Sequence, residues 1–206
     1  RDYYASRGLG DVYKRQFIGN LADFFLLSCL WYLCCLPVVT AGAATTALYY
    51  VTLKMARGQE GQLIPAFFHS FKQNLKQATA LWVGYLAVGI LLVLDLVICL
   101  QTSSVFAGAM FFTSVVLLAC WALFITMLFP LVARCDNTIG ALFKMGIAMA
   151  LRNVMPVLAA LMVTVAFFAV GVFVFWPVLL VAPGLASYCN AFLFNRIFDK
   201  YGMTLE

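Results

Sequence analysis

Long uninterrupted apolar runs make up most of the chain from residue 17 onward. Residues 78–100 contain one charged side chain, and residues 105–132 contain none. Each run exceeds the roughly 20 residues that a helix needs to cross the hydrocarbon core of a bilayer. The pattern therefore predicts helices that span a membrane.

Two further apolar regions flank this pair. Residues 17–36 form a first candidate span, which ends at Pro37 because a proline inside a helix removes a hydrogen bond and clashes with the preceding turn. Residues 154–194 are too long for one crossing, so we divide them near Trp176 and Pro177 into a fourth and a fifth helix. The predicted fold is an all-α polytopic transmembrane bundle of about five spans, with about four and about six as the limits.

The segment at residues 38–55 is only moderately apolar and is rich in small side chains. Tyr49 and Tyr50 lie where an interfacial aromatic belt would place them. Two interpretations remain open, namely a tightly packed half-helix and a helix at the membrane interface. If this segment crosses the bilayer, the chain has about six spans and not about five.

Two basic segments combine an apolar helical face with lysine or arginine side chains. In residues 64–77 the apolar face consists of Ile64, Phe68, Phe71 and Leu75. Residues 134–153 repeat the arrangement around Lys144 and Arg152. A basic amphipathic helix of this kind lies along a membrane surface. The sequence therefore predicts two cytoplasmic amphipathic interfacial helices, each leading into a span.

The beginning of the chain differs from the rest, since residues 1–16 are polar, basic and without periodicity. Residues 6–16 resemble the translation of a sequencing-library adaptor, so we predict that residues 1–16 are a non-native, disordered segment. The alternative is a genuine cytoplasmic arm. The predicted organisation of the remainder is a single transmembrane domain at residues 17–200 and a short cytoplasmic tail at residues 201–206.

Basic residues are distributed unevenly from residue 17 onward. All nine lie between predicted spans one and two, between spans three and four, or after span five, and the other connections have none. They are Lys54, Arg57, Lys72, Lys76, Arg134, Lys144, Arg152, Arg196 and Lys200. Loops rich in lysine and arginine stay on the cytoplasmic side. We therefore predict a multi-pass membrane protein with a cytoplasmic C-terminus.

Composition argues against a soluble enzyme and against a nucleic-acid-binding protein. The chain is 65% apolar and 10% charged, with a mean hydropathy of +1.00, which is far from the composition of a soluble domain. Seven cysteines lie mostly in apolar runs without metal-ligand spacing and are interpreted as small hydrophobic residues. Membrane orientation accounts for the net charge of +5 without a nucleic-acid partner. Because the sequence has no phosphate-loop, serine-elbow or zinc-protease motif, we predict no enzyme activity, no cofactor and no metal site.

Asp23 and Asp95 are the acidic residues inside predicted spans. An aspartate at mid-bilayer costs roughly 3 kcal/mol, so a proton or cation relay along a polar path is one hypothesis. The plainer interpretation is depth, since Asp95 lies five residues before the end of its span and Asp23 lies near the start of the first. In that interpretation, which we favour, both carboxylates reach headgroup water.

Four polar side chains of the two basic segments are candidates for contact with the membrane surface or with a partner: His69, Lys72, Lys76 and Lys144. His69 is the single histidine, and it is either a proton switch or simply solvated, of which we favour the second. The basic face binds either anionic lipid or a partner protein, and lipid requires fewer assumptions.

Small residues spaced four apart mark places where helix backbones can approach closely. The pairs are Gly42 with Thr46, Ala43 with Ala47, and Ala80 with Gly84. We predict that these positions are packing seams within the bundle. A homodimer or subunit interface is the alternative.

Three stretches of this sequence resemble the YesL-like family of bacterial membrane proteins. They are residues 20–23 (NLAD) with Leu30-Trp31, residues 36–49 (LPVVTAGAATTALY) and residues 70–78 (SFKQNLKQA). The resemblance extends from residue 17 to about residue 200, and it supplies no catalytic residue. Many members of that family have a basic residue at the position of His69, so the resemblance does not imply a fixed cationic contact there.

The resemblance implies a role beside sugar uptake, because members of the family tend to be encoded next to carbohydrate uptake systems of the ATP-binding-cassette (ABC) type. The leading hypothesis is therefore a non-enzymatic accessory or regulatory protein that packs in the lipid bilayer against a sugar permease subunit or its own copy. The alternative is a small transporter or channel in its own right, with Asp23 and Asp95 lining a polar path.

Overall fold

A computed structural model of the chain describes residues 21–59, 61–101, 107–135 and 137–203. Within these ranges the chain forms seven α-helices and no strand. The helices are α1 (Leu21–Cys35), α2 (Ala41–Met55), α3 (Leu63–Gln101), α4 (Ala107–Val132), α5 (Ile139–Arg152), α6 (Val154–Phe173) and α7 (Ala182–Lys200). Short 3-10 helices at Val38–Thr40 and Trp176–Leu180 precede α2 and α7. The segment predicted to be non-native and the first residues of the first predicted span lie outside the described ranges.

Three of these helices, α3, α4 and α6, are long and apolar enough to cross a membrane, and α1 is apolar but shorter. Large apolar side chains cover their outer faces, as Ile90, Leu94 and Ile98 do on α3. Apolar faces of this size are buried in lipid or against other chains and not left in water. The chain is therefore a helical membrane protein, as the hydropathy pattern predicts, and the number of crossings beyond these three remains a prediction.

α2 lies at the centre of the described helices. Ten of its 15 residues are buried, and it packs against α3, α4 and α7. Fifteen residues give a helix of about 22 Å, which is shorter than the ~30 Å hydrocarbon core. The structure therefore shows residues 41–55 as a helix packed tightly among its neighbours, and whether that helix crosses the membrane remains a prediction.

α1 and α2 form an antiparallel hairpin whose turn contains Pro37. Trp31 donates a hydrogen bond from Nε1 to Thr45 Oγ1 over 3.1 Å, which holds the two helices together part-way along the hairpin. The hydroxyl of Thr40 donates to the carbonyl of Cys34 over 2.6 Å and closes the turn. The helix breaks where a proline was expected to break it.

α3 departs from the predicted arrangement, because the amphipathic segment and the following span form one continuous helix of 39 residues. The prediction of a separate interfacial helix at residues 64–77 is therefore corrected. Buried residues follow the first two thirds of the helix at intervals of three or four: Phe67, Ser70, Asn74, Ala78, Leu81, Tyr85 and Gly89. This stripe packs against α2 at its start and α4 further along. It differs from the predicted apolar face, on which Ile64 is exposed.

α5 is a separate helix, and its exposed side is unusual in being apolar. Leu142, Gly146, Met149 and Ala150 are buried. The exposed large side chains recur every four residues, at Ile139, Phe143, Ile147 and Leu151, and we call this set the apolar stripe of α5. Lys144 and Arg152 are exposed on the neighbouring side. A helix with these three sides has the composition of an interfacial helix.

α7 runs antiparallel to α1 and α6 and parallel to α2. Near its start, the backbone N–H of Gly184 donates to Ser28 Oγ over 2.9 Å. Near its end, Asn195 reaches the carbonyl of Leu53 on α2. Beyond α7, the Tyr201 hydroxyl accepts from Asn153 at the start of α6 over 3.1 Å. These directions bring the C-terminal ends of α2, α4 and α7 together.

Candidate functional site

Four polar side chains meet where the C-terminal ends of α2, α4 and α7 converge, and we call them the basic cluster: Arg57, Arg134, Asn195 and Asp199. The amide oxygen of Asn195 accepts from Arg57 Nε over 3.0 Å and from Arg134 Nη1 over 2.9 Å. Its Nδ2 donates to the carbonyl of Leu53 over 3.1 Å. One amide thus joins three segments that are far apart in the sequence.

Asp199 supplies the carboxylate of the basic cluster. It pairs with Arg57 and lies 3.6 Å from Arg134 Nη2. Its side chain is 58% exposed whereas that of Arg134 is fully buried. Two guanidinium groups therefore share one carboxylate that is partly screened by solvent, and the four side chains together carry an excess positive charge.

Arg134 is the most buried charged side chain of the basic cluster. Its guanidinium also donates to the carbonyl of Met203 and lies 5.0 Å from the centre of the Phe198 ring. Burial lowers the pKa of Arg134, the like charge of Arg57 lowers it further, and Asp199 acts in the opposite direction. Its Nε is buried and finds no partner in the part of the chain that the structure describes. The cluster therefore holds the tail against the bundle at a cost in desolvation.

A second polar group lies inside the bundle, between α2, α6 and α7. Asn190 is fully buried and donates from Nδ2 to Thr164 Oγ1 over 2.8 Å and to the Tyr49 hydroxyl over 3.4 Å. Its amide oxygen has no hydrogen-bond partner among the described residues. Interhelical hydrogen bonds of this kind fix which helix faces meet.

Replacing Asn190 by leucine is expected to lower the free energy of unfolding by about 1 kcal/mol or less. Interhelical hydrogen bonds in membrane proteins contribute about 0.6 kcal/mol on average, and the buried amide oxygen already lacks a partner. Thr164 keeps its own bond to the carbonyl of Ala160. Reversible unfolding in mixed micelles measures the change, and a loss of several kcal/mol would contradict this reasoning.

The two candidate intramembrane carboxylates lie on different helices. Asp95 contacts the hydroxyl of Ser114 across the α3–α4 pair, and Ser114 also donates to the carbonyl of Met110 over 2.9 Å. Asp23 is partly buried near the start of the described part of α1. The structure does not bring them together.

The candidate interfacial residues are all exposed. His69, Lys72 and Lys76 lie on the N-terminal part of α3, on the side away from Phe67 and Asn74. Lys144 lies separately on α5. The structure therefore places His69, Lys72 and Lys76 together on α3, and Lys144 apart from them on α5.

The small residues of α2 and those of α3 have different surroundings. Gly42, Ala43, Thr46 and Ala47 are buried, and a Cβ at Gly42 would lie 2.6 Å from Trp82 Cβ. Ala80 and Gly84 are exposed, and nothing in the described chain lies within 4 Å of a Cβ built at Gly84. Ala80 and Gly84 therefore form no packing seam with the described residues, and an intermolecular interface stays the prediction for that pair.

Sequence reasoning missed the amide residues. Charged side chains inside apolar runs are conspicuous in the sequence and Asn190 and Asn195 are not, although an amide in an apolar run also needs a partner. The signal was present, because both lie in the last predicted span or at its end. Among the described residues, no group of three histidine, cysteine, aspartate or glutamate side chains could hold a metal ion, and the seven cysteines are free.

Comparison with known proteins adds one finding. No curated protein and no solved structure matches the chain. The region from α1 to most of α3, residues 24–96, matches the family described as Protein of unknown function, DUF624.

Proposed function

We propose that this chain is a non-enzymatic accessory or regulatory component of a carbohydrate uptake system of the ABC type in a bacterial plasma membrane. The family match at residues 24–96 overlaps the segments that resemble YesL-like proteins, which belong to DUF624. The proposal takes its substrate class from that resemblance. Its structural support comes from the N-terminal part of α3.

The observation that carries the proposal is the length of α3. Its 39 residues give about 58 Å of helix, and the hydrocarbon core is only ~30 Å thick. If residues 78–101 cross the core, then residues 63–77, which we call the α3 arm, extend beyond it. The arm packs on α2 through Phe67 and is continuous with the span.

The exposed side of the α3 arm carries His69, Lys72 and Lys76. A rigid helix that holds basic side chains outside the hydrocarbon suits an acidic partner surface, because charge complementarity steers encounter and fixes orientation. We infer that this side of the arm contacts a permease subunit.

The proposed orientation follows from the basic residues. The C-terminal ends of α2, α4 and α7 meet at the basic cluster, and positively charged ends remain in the cytoplasm. This orientation puts the C-terminus and the α3 arm on the cytoplasmic side. Because α1 is antiparallel to α2, it also starts α1 on that side, which agrees with the arrangement of about six spans.

A photo-reactive amino acid in place of Lys72 tests the proposal in native membranes, with mass spectrometry to identify the products. We expect crosslinks to permease subunits. The matched control is the same amino acid in place of Ile90, which is 60% exposed on the lipid-facing part of the same helix and should give lipid adducts. Products at Lys72 that consist only of lipid or of a second copy of this chain would overturn the proposal.

The alternative function, a transporter in its own right, is favoured by one contact, the polar pair of Asp95 and Ser114 between two apolar helices. In that case Asp95→Asn combined with Asp23→Asn should abolish sugar uptake attributable to this chain in cells. Unchanged uptake at equal protein levels would exclude these carboxylates as a transport path.

A further inference from the structure

An apolar groove lies between α3, α4 and α5, on the outside of the described helices. Its volume is about 400 Å³, within the range of sites that hold small molecules. α3 contributes Val88 and Leu92, and α4 contributes Leu117 and Cys120. The third wall includes Ile147 and Leu151, which belong to the apolar stripe of α5. A groove with these walls accepts an extended hydrocarbon chain.

The groove starts beside a basic side chain. Arg152 is exposed in the last turn of α5, and its neighbours Leu151 and Val154 line the groove. Lys144 is also exposed, on an adjoining side of α5, because eight residues amount to about 2.2 turns and about 12 Å of helix. Positive charge is thus placed at one end of an otherwise apolar surface.

The depth of Arg152 in the membrane follows from the chain itself. α6 is long and apolar enough to cross the bilayer and begins at Val154, so Arg152 lies next to the point where the chain enters the hydrocarbon. At that depth the lipid phosphates of an anionic membrane supply negative charge. The groove then continues from the headgroup region into the apolar layer along α4.

We propose that this groove is a binding site for one anionic phospholipid, with an acyl chain between α3, α4 and α5 and the phosphate beside Arg152. The apolar wall selects a hydrocarbon chain, and the guanidinium of Arg152 selects the negative headgroup. The site differs from general lipid contact because three helices enclose the chain. It shares no residue with the α3 arm and does not depend on the proposed partner.

Native mass spectrometry of the purified full chain, titrated with phosphatidylglycerol or phosphatidylcholine, tests this site. We expect the unmodified protein to bind one phosphatidylglycerol in preference to phosphatidylcholine. Arg152→Gln should weaken phosphatidylglycerol binding about fivefold and leave phosphatidylcholine binding unchanged. Lys200→Gln, which removes an exposed charge at the end of α7, is the matched control and should bind as the unmodified protein does.

Groove-filling variants test the hydrocarbon part of the site. Cys120→Phe and Val88→Phe each add a ring within the groove at an exposed position, and both should reduce binding of either lipid. Ala119→Phe adds the same ring one residue along, also at an exposed position, and should have no effect. Equal lipid binding by all variants, or a protein chain held in the groove in place of lipid, would overturn the proposal.

Discussion

Replacing Gly42 by leucine is expected to destabilise the protein by about 3 kcal/mol, at the upper end of the cost of overpacking a core. A Cβ at this position would lie 2.6 Å from Trp82 Cβ and 2.7 Å from the carbonyl oxygen of Ala78. Neither atom is the flexible end of a side chain, so α2 and α3 would have to separate. The free energy of unfolding in mixed micelles, measured with increasing sodium dodecyl sulfate, gives the size of the loss.

Gly84 provides the matched control for this prediction. It lies on α3, the helix that Gly42 faces, but a Cβ built there meets nothing within 4 Å in the described chain. Gly84→Leu should therefore change the free energy of unfolding by less than about 1 kcal/mol, since leucine is also the better helix former. Equal losses at the two glycines would mean that α2 and α3 are not in contact at Gly42.

The two glycines also show what the sequence could and could not predict about packing. Both belong to pairs of small residues spaced four apart, so the sequence pattern treats them alike. The direction in which such a pair faces depends on the rotation of its helix relative to its neighbours, which hydropathy does not determine when the whole helix is apolar. Gly42 lies on a helix surrounded on most sides, whereas Gly84 lies on an outer face.

Helix class and the main breaks were predictable from local chemistry. The apolar runs that correspond to α3, α4 and α6 were recognised because apolar runs of this length are typical of membrane spans. The break at Pro37 was predictable because the proline ring cannot be accommodated inside a helix without the loss of a hydrogen bond. The continuity of α3 was not predictable in this way. The change from basic to apolar side chains near residue 78 marks a change of solvent and not the end of a helix.

The basic cluster was beyond the reach of sequence patterns for a different reason. Its members lie in or just beyond the last turns of three helices, and Arg57 and Asn195 are separated by 138 residues. Their proximity follows from the parallel course of α2 and α7, which no local signal specifies. The uneven distribution of lysine and arginine predicted that these residues share one side of the membrane, but not that a single amide would join two of them.

Replacing Asn195 by leucine should lower the free energy of unfolding by about 3 to 4 kcal/mol. This is the largest loss that we expect among the uncharged substitutions proposed here. The substitution leaves the carbonyl of Leu53 without its donor, and it removes the acceptor shared by Arg57 and Arg134. A buried charge that loses a partner is strongly destabilising. Unfolding in mixed micelles, measured as for Gly42, should show the loss.

Asn195→Asp distinguishes the loss of the acceptor from the loss of the amide. The introduced carboxylate still accepts from both arginines and balances the charge of the cluster, but it can no longer donate to the carbonyl of Leu53. We expect a smaller loss, about 1 kcal/mol, near neutral pH. Two neighbouring cations lower the pKa of that carboxylate in the folded state, so its contribution is present above the ordinary aspartate pKa of about 4 and is lost as the pH falls through the folded value. If Asn195→Asp were as unstable as Asn195→Leu at neutral pH, the amide's bond to α2 and not its acceptance from the arginines would be what holds the three helix ends together.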